Sequence, residues 1–200
     1  MQIQWMRALV MMAAVLGAGA AAAIAEDRAE VGDAAPAFDL SDQDGQTHTL
    51  STYEGRIVLL EWLNPSCPAS VYHHEERRTM AELASRFAEH DVVWLAIDSN
   101  ETADAEAHRE VAEEWELDYP ILSDASGEMG RAYGARTTPH MMIVDAEGVL
   151  VYRGAIDDDP GRRGNEEVNY VEQALEELLG GEDVSEPETF PYGCRIRYAR

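Results

Sequence analysis

Apolar positions change their period several times along the chain, and each change marks an element. Ile57-Val58-Leu59-Leu60 and residues 92–97 are continuous apolar runs, the pattern of strands covered on both faces. Met80, Leu83, Ala84 and Phe87 fall at i, i+3, i+4 and i+7, one stripe of a helix. Residues 103–117 predict an acidic helix with Ala107, Val111 and Trp115 turned inward. A short strand over 119–122 and a short helix over 127–133 follow. Residues 141–144 and 149–153 read as strands joined by Asp145-Ala146-Glu147-Gly148, a hairpin with a turn glycine. Val168, Val171, Leu175 and Leu178 line one side of a last helix. Ahead of all these, Ala37-Phe38-Asp39-Leu40 and residues 47–50 flank Asp42-Gln43-Asp44-Gly45, which predicts an opening hairpin. Strands alternating with helices predict an α/β fold: a central mixed, mostly parallel sheet with helices on both faces.

The two ends depart from this pattern. Arg7 is the only charge before Glu26; residues 8–16 are apolar, and small residues run on to Ala23-Ile24-Ala25. That order predicts a cleaved signal peptide over 1–25 and an exported protein. The apolar run is short against the roughly 20 residues a membrane span needs, so no stable span is expected after cleavage. Residues 26–200 then read as a single domain, with 181–200 a tail. Hydrophobic residues make up 46% of the 200-residue chain, enough for a core without disulfide staples.

Charge and composition narrow the function. The net charge is −24, which argues against nucleic acid as a partner and against docking on anionic lipid. All 15 basic residues are arginine, so neither a lysine Schiff base nor a phosphate-binding P-loop lysine is available. Two cysteines, Cys67 and Cys194, are too few for a four-cysteine zinc site or a cysteine-ligated iron–sulfur cluster.

Cys67 follows the first buried strand through Asn64-Pro65-Ser66 and precedes Pro68-Ala69-Ser70 and a helix. A cysteine at a helix start is exposed to unpaired backbone N–H groups and the positive end of the helix dipole, which stabilise the thiolate. Pro68 suits the first helical position. Glu61 is a carboxylate in an otherwise apolar strand, so a raised pKa is expected.

The segment Glu61-Trp62-Leu63-Asn64-Pro65-Ser66-Cys67-Pro68-Ala69-Ser70, with Thr137-Thr138-Pro139-His140 and Ile143-Val144-Asp145-Ala146-Glu147-Gly148, resembles the redoxin branch of the thioredoxin superfamily, which holds the alkyl hydroperoxide reductase/thiol-specific antioxidant proteins and the TlpA-like thiol reductases. The resemblance implies a thioredoxin-like fold and a thiol-disulfide oxidoreductase acting on a thiol or disulfide partner, protein or small molecule, without a cofactor. It implies that Cys67 is the attacking cysteine, that Glu61 relays protons, and that Thr138-Pro139 is a cis-proline loop presenting the partner chain. Trp62, Asn64, Pro68, Ser70, Thr138 and His140 fall where such a site contacts substrate. Ser70 stands where a second, resolving cysteine would be. The peroxiredoxin pattern Pro-x-x-x-Thr-x-x-Cys is not met, since Leu60 and Asn64 occupy its proline and threonine positions.

Cys194 lies in the tail segment Phe190-Pro191-Tyr192-Gly193-Cys194-Arg195-Ile196-Arg197. It is a candidate to resolve Cys67, with Gly193 giving room for a close approach and Arg195 and Arg197 expected to lower its pKa. A static structural disulfide and two unrelated thiols are the alternatives. A copper or other metal carrier using Cys67 and His140 is the rival function, and a weak peroxidase a further one. His73-His74, flanked by charged residues, read as a solvated helix face, His140 first as a loop histidine, and Asp157-Asp158-Asp159 as part of a polar loop.

Overall fold

The computed structural model describes residues 28–199; the leader expected over 1–25 lies outside them. The elements are β1 (Asp39–Ser41), β2 (Thr47–Thr49), β3 (Val58–Trp62), α1 (Pro68–Val71), α2 (Thr79–Ala88), β4 (Val93–Asp98), α3 (Ala105–Glu114), β5 (Ile121–Ser123), α4 (Glu128–Tyr133), β6 (Thr137–Thr138), β7 (His140–Val144), β8 (Leu150–Gly154), α5 (Tyr170–Leu179) and β9 (Cys194–Arg195). A 3₁₀ turn, Leu50–Tyr53, follows β2, and α1 runs into one π-helical turn, Tyr72–Glu76.

The central sheet is mixed, in the order β5-β4-β3-β7-β8. Its β3–β4 and β4–β5 pairings are parallel and its β3–β7 and β7–β8 pairings antiparallel, so the two kinds occur in equal number. The closing β7–β8 hairpin supplies the antiparallel edge, as its turn glycine predicted. The opening hairpin forms separately from β1 and β2.

Alternation along β3 divides the core. Leu59 and Leu63 point to a cluster with Met80, Phe87, Trp94, Trp115 and Leu175. Val58, Leu60 and Trp62 point to the other face with Leu122, Tyr133 and Met142. Burying each such large side chain contributes roughly 1.5–3 kcal/mol.

The inner face of α3 packs Val111 and Trp115 on the core as expected, and only its first position moves by one residue. Ala107 is exposed and His108 is buried. The reason is polar: His108 Nε2 pairs with Asp98 Oδ2 at the end of β4, at 3.1 Å. The side chain of Asp104 caps the helix, accepting from the N–H groups of Glu106 and Ala107, which fixes its entry.

Candidate active site

The turn from β3 into α1 is built by short-range hydrogen bonds. Asn64 Oδ1 accepts from the Ser66 N–H at 2.8 Å, and the Asn64 carbonyl accepts from the Cys67 N–H at 2.9 Å. The Asn64 N–H donates to Ser70 Oγ at 3.4 Å. Cys67 is the extended N-cap of α1, with Pro68 in the first turn. The sequence placed the cysteine at a helix start, and the geometry agrees.

Thr138–Pro139 is a cis peptide bond. The Cys67 thiol donates to the Thr138 carbonyl oxygen, Sγ to O, at 2.9 Å. The neighbouring edge, where a partner chain was expected to pair, is taken by this protein's own tail. β9 runs antiparallel to β6, with Thr138 opposite Cys194 and Thr137 opposite Arg195. Gly193 makes this contact possible. Its φ is +119°, and a β-carbon added there would run into the Thr138 carbonyl and meet the Ala69 Cβ at 3.3 Å. Only glycine takes both the dihedral and the approach without strain.

The tail brings the two cysteines, both free thiols, to the same edge: Cys194 stands opposite Thr138, whose carbonyl accepts from Cys67. Their acidities diverge. Burial pushes Cys67 up, but the Cys194 thiol, the Thr138 side-chain hydroxyl and the backbone N–H groups of Ser70 and Ala69 outweigh it, so its pKa lies below the ordinary thiol value. Cys194 is pushed up to about 11 by burial and by the Cys67 sulfur beside it. Arg195 and Arg197 therefore do not lower it as expected; the cation that acts on Cys194 is Arg162, and it is outweighed. The pair favours one thiolate, on Cys67, with the proton kept on Cys194.

Glu61 is fully buried and its oxygens are occupied. His74 Nε2 lies 2.7 Å from Oε1, while Oε2 accepts from the Trp94 indole N–H at 2.9 Å and the Tyr119 hydroxyl at 3.2 Å. Burial raises its pKa, but the His74 charge and these donors overcome that and bring it below the usual carboxylate value. The raised pKa expected from the apolar strand is thus corrected, because the strand's neighbours supply partners. His74 stacks on Trp115 at 4.1 Å between centroids.

His73 and His74 are accordingly core residues, each 1% exposed, and not a solvated face. His73 Nε2 lies 2.9 Å from the Tyr192 hydroxyl, and that hydroxyl donates to Asp157 Oδ1. With its one proton given to Asp157, the Tyr192 oxygen receives the Nε2–H of His73. Burial also lowers the pKa of His73. The aspartate run forms a loop as expected, yet Asp157 and Asp159 are buried in it. A glutamate in an apolar strand with a histidine 13 residues later was the sequence signal for the Glu61–His74 pair; nothing comparable announced Tyr192 and Asp157.

Two expected substrate contacts lie elsewhere. Trp62 is fully buried against Tyr133, and its indole N–H donates to Ser99 Oγ at 2.9 Å; it anchors the core. His140 opens β7 and is 1% exposed, not a loop residue. Its Nδ1 accepts from the Arg136 N–H at 3.2 Å, and it borders a separate pocket of about 220 Å³. Burial, with Arg153 and Arg136 nearby, lowers its pKa to about 3. His140 thus lines a different pocket from the cleft that Cys67 borders, and among the described residues no three His, Cys, Asp or Glu side chains form a candidate metal cluster. Asn64, Cys67 and Cys194 do share one open cleft of about 710 Å³, with Asp98, His108 and Arg195 also in its walls.

The family model described as the AhpC/TSA family matches residues 31–153. The chain belongs to the AhpC/TSA family. The matched residues include the Cys67 turn and the cis proline; the strand carrying Cys194 lies beyond them. Among individual relatives of this AhpC/TSA-family chain, the thiol-disulfide oxidoreductase ResA of Bacillus thuringiensis subsp. konkukian is 27% identical over 126 residues, 63% of this chain and 70% of its own length. ResA of Geobacillus thermodenitrificans is 31% identical over 119 residues, 59% of this chain and 65% of that one. A hypothetical protein from Sinorhizobium meliloti 1021 superposes with a TM-score of 0.76 at 28% identity, covering 86% of this chain and 96% of that one. The mixed β5-β4-β3-β7-β8 sheet with its flanking helices is a thioredoxin-like fold. No helix among the described residues is long and apolar enough to cross a membrane.

Proposed function

We propose that this AhpC/TSA-family protein is a thiol-disulfide oxidoreductase of the redoxin type that cycles between a Cys67/Cys194 dithiol and a Cys67–Cys194 disulfide, and that it works outside the cytoplasm. The single observation carrying this reading is the apposition of the two thiols across Thr138, with Cys67 held as the stronger acid. The similarity to ResA thiol-disulfide oxidoreductases supports the reaction class, and the leader pattern of residues 1–25 supports export.

The Cys67 thiolate attacks one sulfur of a partner disulfide. The partner's S–S bond breaks, its leaving thiolate takes a proton from solvent, and a mixed disulfide forms on Cys67. Cys194 then loses its proton and attacks the Cys67 sulfur, releasing the second partner thiol. Two electrons pass from protein to partner; the reverse sequence oxidises a dithiol. Cys194 is a poor nucleophile as a thiol, and its pKa falls back once the neighbouring Cys67 charge is consumed in the mixed disulfide. Glu61 acts through His74 and the start of the helix, as a positioning residue, since its oxygens are already hydrogen-bonded.

Alkylation and mass spectrometry of the full mature chain across a series of redox potentials tests this. The expected result is one intramolecular disulfide with a potential above about −300 mV, and trapping of a mixed disulfide on Cys67 in Cys194→Ser. A bridge that resists reduction below that potential would make the tail link structural and end the proposal, as would two thiols that never pair.

A further inference from the structure

The tail does more than deliver Cys194; it covers the main chain beside the nucleophile. β9 occupies the Thr137–Thr138 edge. The Ile196 N–H donates to the Arg136 carbonyl at 3.1 Å, and the Tyr198 hydroxyl to the Ala135 carbonyl at 2.8 Å. Ile196 is buried, and the Arg131 guanidinium lies 4.8 Å from the Tyr198 ring centroid. Backbone from Ala135 to Thr138 is thus bonded to the protein's own C-terminus, and Cys67 beneath it is 1% exposed. An extended polypeptide reaches a buried group by pairing along an open strand edge, and an occupied edge offers it none.

What stays open is the cleft of about 710 Å³ that Cys67 and Cys194 border, a size ordinary for small-molecule sites. Its walls carry both signs of charge. Arg195 and Arg197 come from the strap that carries Cys194, exposed and with no ion-pair partner among the described residues; Asp104, Glu110 and Glu114 come from α3 and its cap, and Asp98 and Glu101 from the end of β4 and the turn after it. A ligand with a carboxylate near its sulfur and an ammonium group farther out matches that arrangement.

Resting on the exchange chemistry proposed above, we infer that the strapped protein's partner is a low-molecular-weight disulfide or thiol of the amino-acid or short-peptide class, carrying both carboxylate and ammonium groups, and that protein disulfides are shut out by the C-terminal strap. In the oxidising direction, one small disulfide and the two protein thiols give the Cys67–Cys194 disulfide and two small thiols, so electrons and protons balance without a further reagent.

The test is single-turnover oxidation of the reduced full chain by glutathione disulfide or by insulin, quenched by alkylation and read by mass. A polypeptide that reacts only with the strap released is slowed by the released fraction, so glutathione disulfide is expected to be faster by about tenfold or more per disulfide. In Gly193→Ala the new β-carbon meets the Thr138 carbonyl and lifts the strap, and the gap narrows as insulin gains. Ile196→Ala, which keeps both thiols and only weakens the anchor, is expected to narrow it in the same direction. Equal rates for the two oxidants in the unsubstituted protein would overturn the inference and leave the exchange function standing. A gap unchanged in both variants would also overturn it. Failure of every form to react with either oxidant would bring down the proposed function itself.

Discussion

The turn that carries Cys67 and the strap that carries Cys194 meet at one pair of sulfurs, but they are held in opposite ways. The turn is held by neighbours: Asn64 bonds to Ser66 and Cys67, and Cys67 to Val71. The helix that follows is then bolted into the core through the buried Glu61–His74 pair. The strap has almost no local hydrogen bonds. Its ties run from Ile196 to Arg136, from Tyr198 to Ala135, from Arg197 to Glu101, and from Tyr192 to Asp157 and His73. The difference teaches that the nucleophile is fixed by the core elements around it, whereas its partner is fixed only by long-range ties, the kind of segment whose opening can be separate from global unfolding.

The largest expected effect breaks the turn side. His74→Ala leaves the Glu61 carboxylate buried beside two neutral donors, and removing one partner of such a pair costs about 3–5 kcal/mol. Thermal or denaturant unfolding checks this, and the double variant Glu61→Leu/His74→Leu should recover much of the loss. The pH dependence has a definite sign. Glu61 is more acidic folded than unfolded, so its contribution is present above the ordinary carboxylate pKa and is lost as pH falls through the folded value. His140 acts in the same direction over a wider window. It is neutral in the fold down to about pH 3, while the unfolded chain takes up that proton near pH 6.5, so stability declines between those values. His140→Gln should flatten that decline in acid unfolding curves.

The same division explains what the sequence made legible. The apolar runs of β3 and β4 and the helical stripe of α2 are local patterns, and they announced the sheet and its flanking helix. The position of Cys67 before Pro68 is local too. Glu61's acidity came out in the opposite direction because His74, Trp94 and Tyr119 come from three other elements. His73 looked solvated because its neighbours along the chain are charged, while its neighbours in space are Tyr192 and Asp157. Arg195 and Arg197 follow Cys194 closely, yet Arg162, 32 residues earlier, is the cation that acts on its thiol. Pairing of β6 with β9 spans more than 50 residues, and only Gly193 hinted at it.

A smaller effect is expected on the strap side. Ile196→Ala empties a buried site, a change that costs about 2–4 kcal/mol. If the strap opens separately, hydrogen exchange followed by mass spectrometry will show lost protection over residues 190–199 with β3 unchanged; equal loss in both would merge the two regions into one cooperative unit. Tyr192→Phe removes the hydroxyl shared by Asp157 and His73 and should weaken the same segment by about 1–2 kcal/mol.

The smallest effect sharpens the contrast at the sulfurs themselves. Burial works against the Cys67 thiolate, and the Cys194 thiol is the largest contribution offsetting it. Cys194→Ala removes that donor but leaves the Ala69 and Ser70 N–H groups of the turn in place. The pKa of Cys67 should therefore rise, read from the pH dependence of iodoacetamide alkylation in the reduced protein. Each rate is proportional to the thiolate fraction, so the curve shifts to higher pH with its plateau preserved. The size of the shift divides the work between the regions. A curve that stays where it was assigns the stabilisation of the thiolate to the helix start alone. A curve moved up to or past the ordinary thiol value assigns it to the strap, and then the acidity of the nucleophile depends on whether the strap is closed.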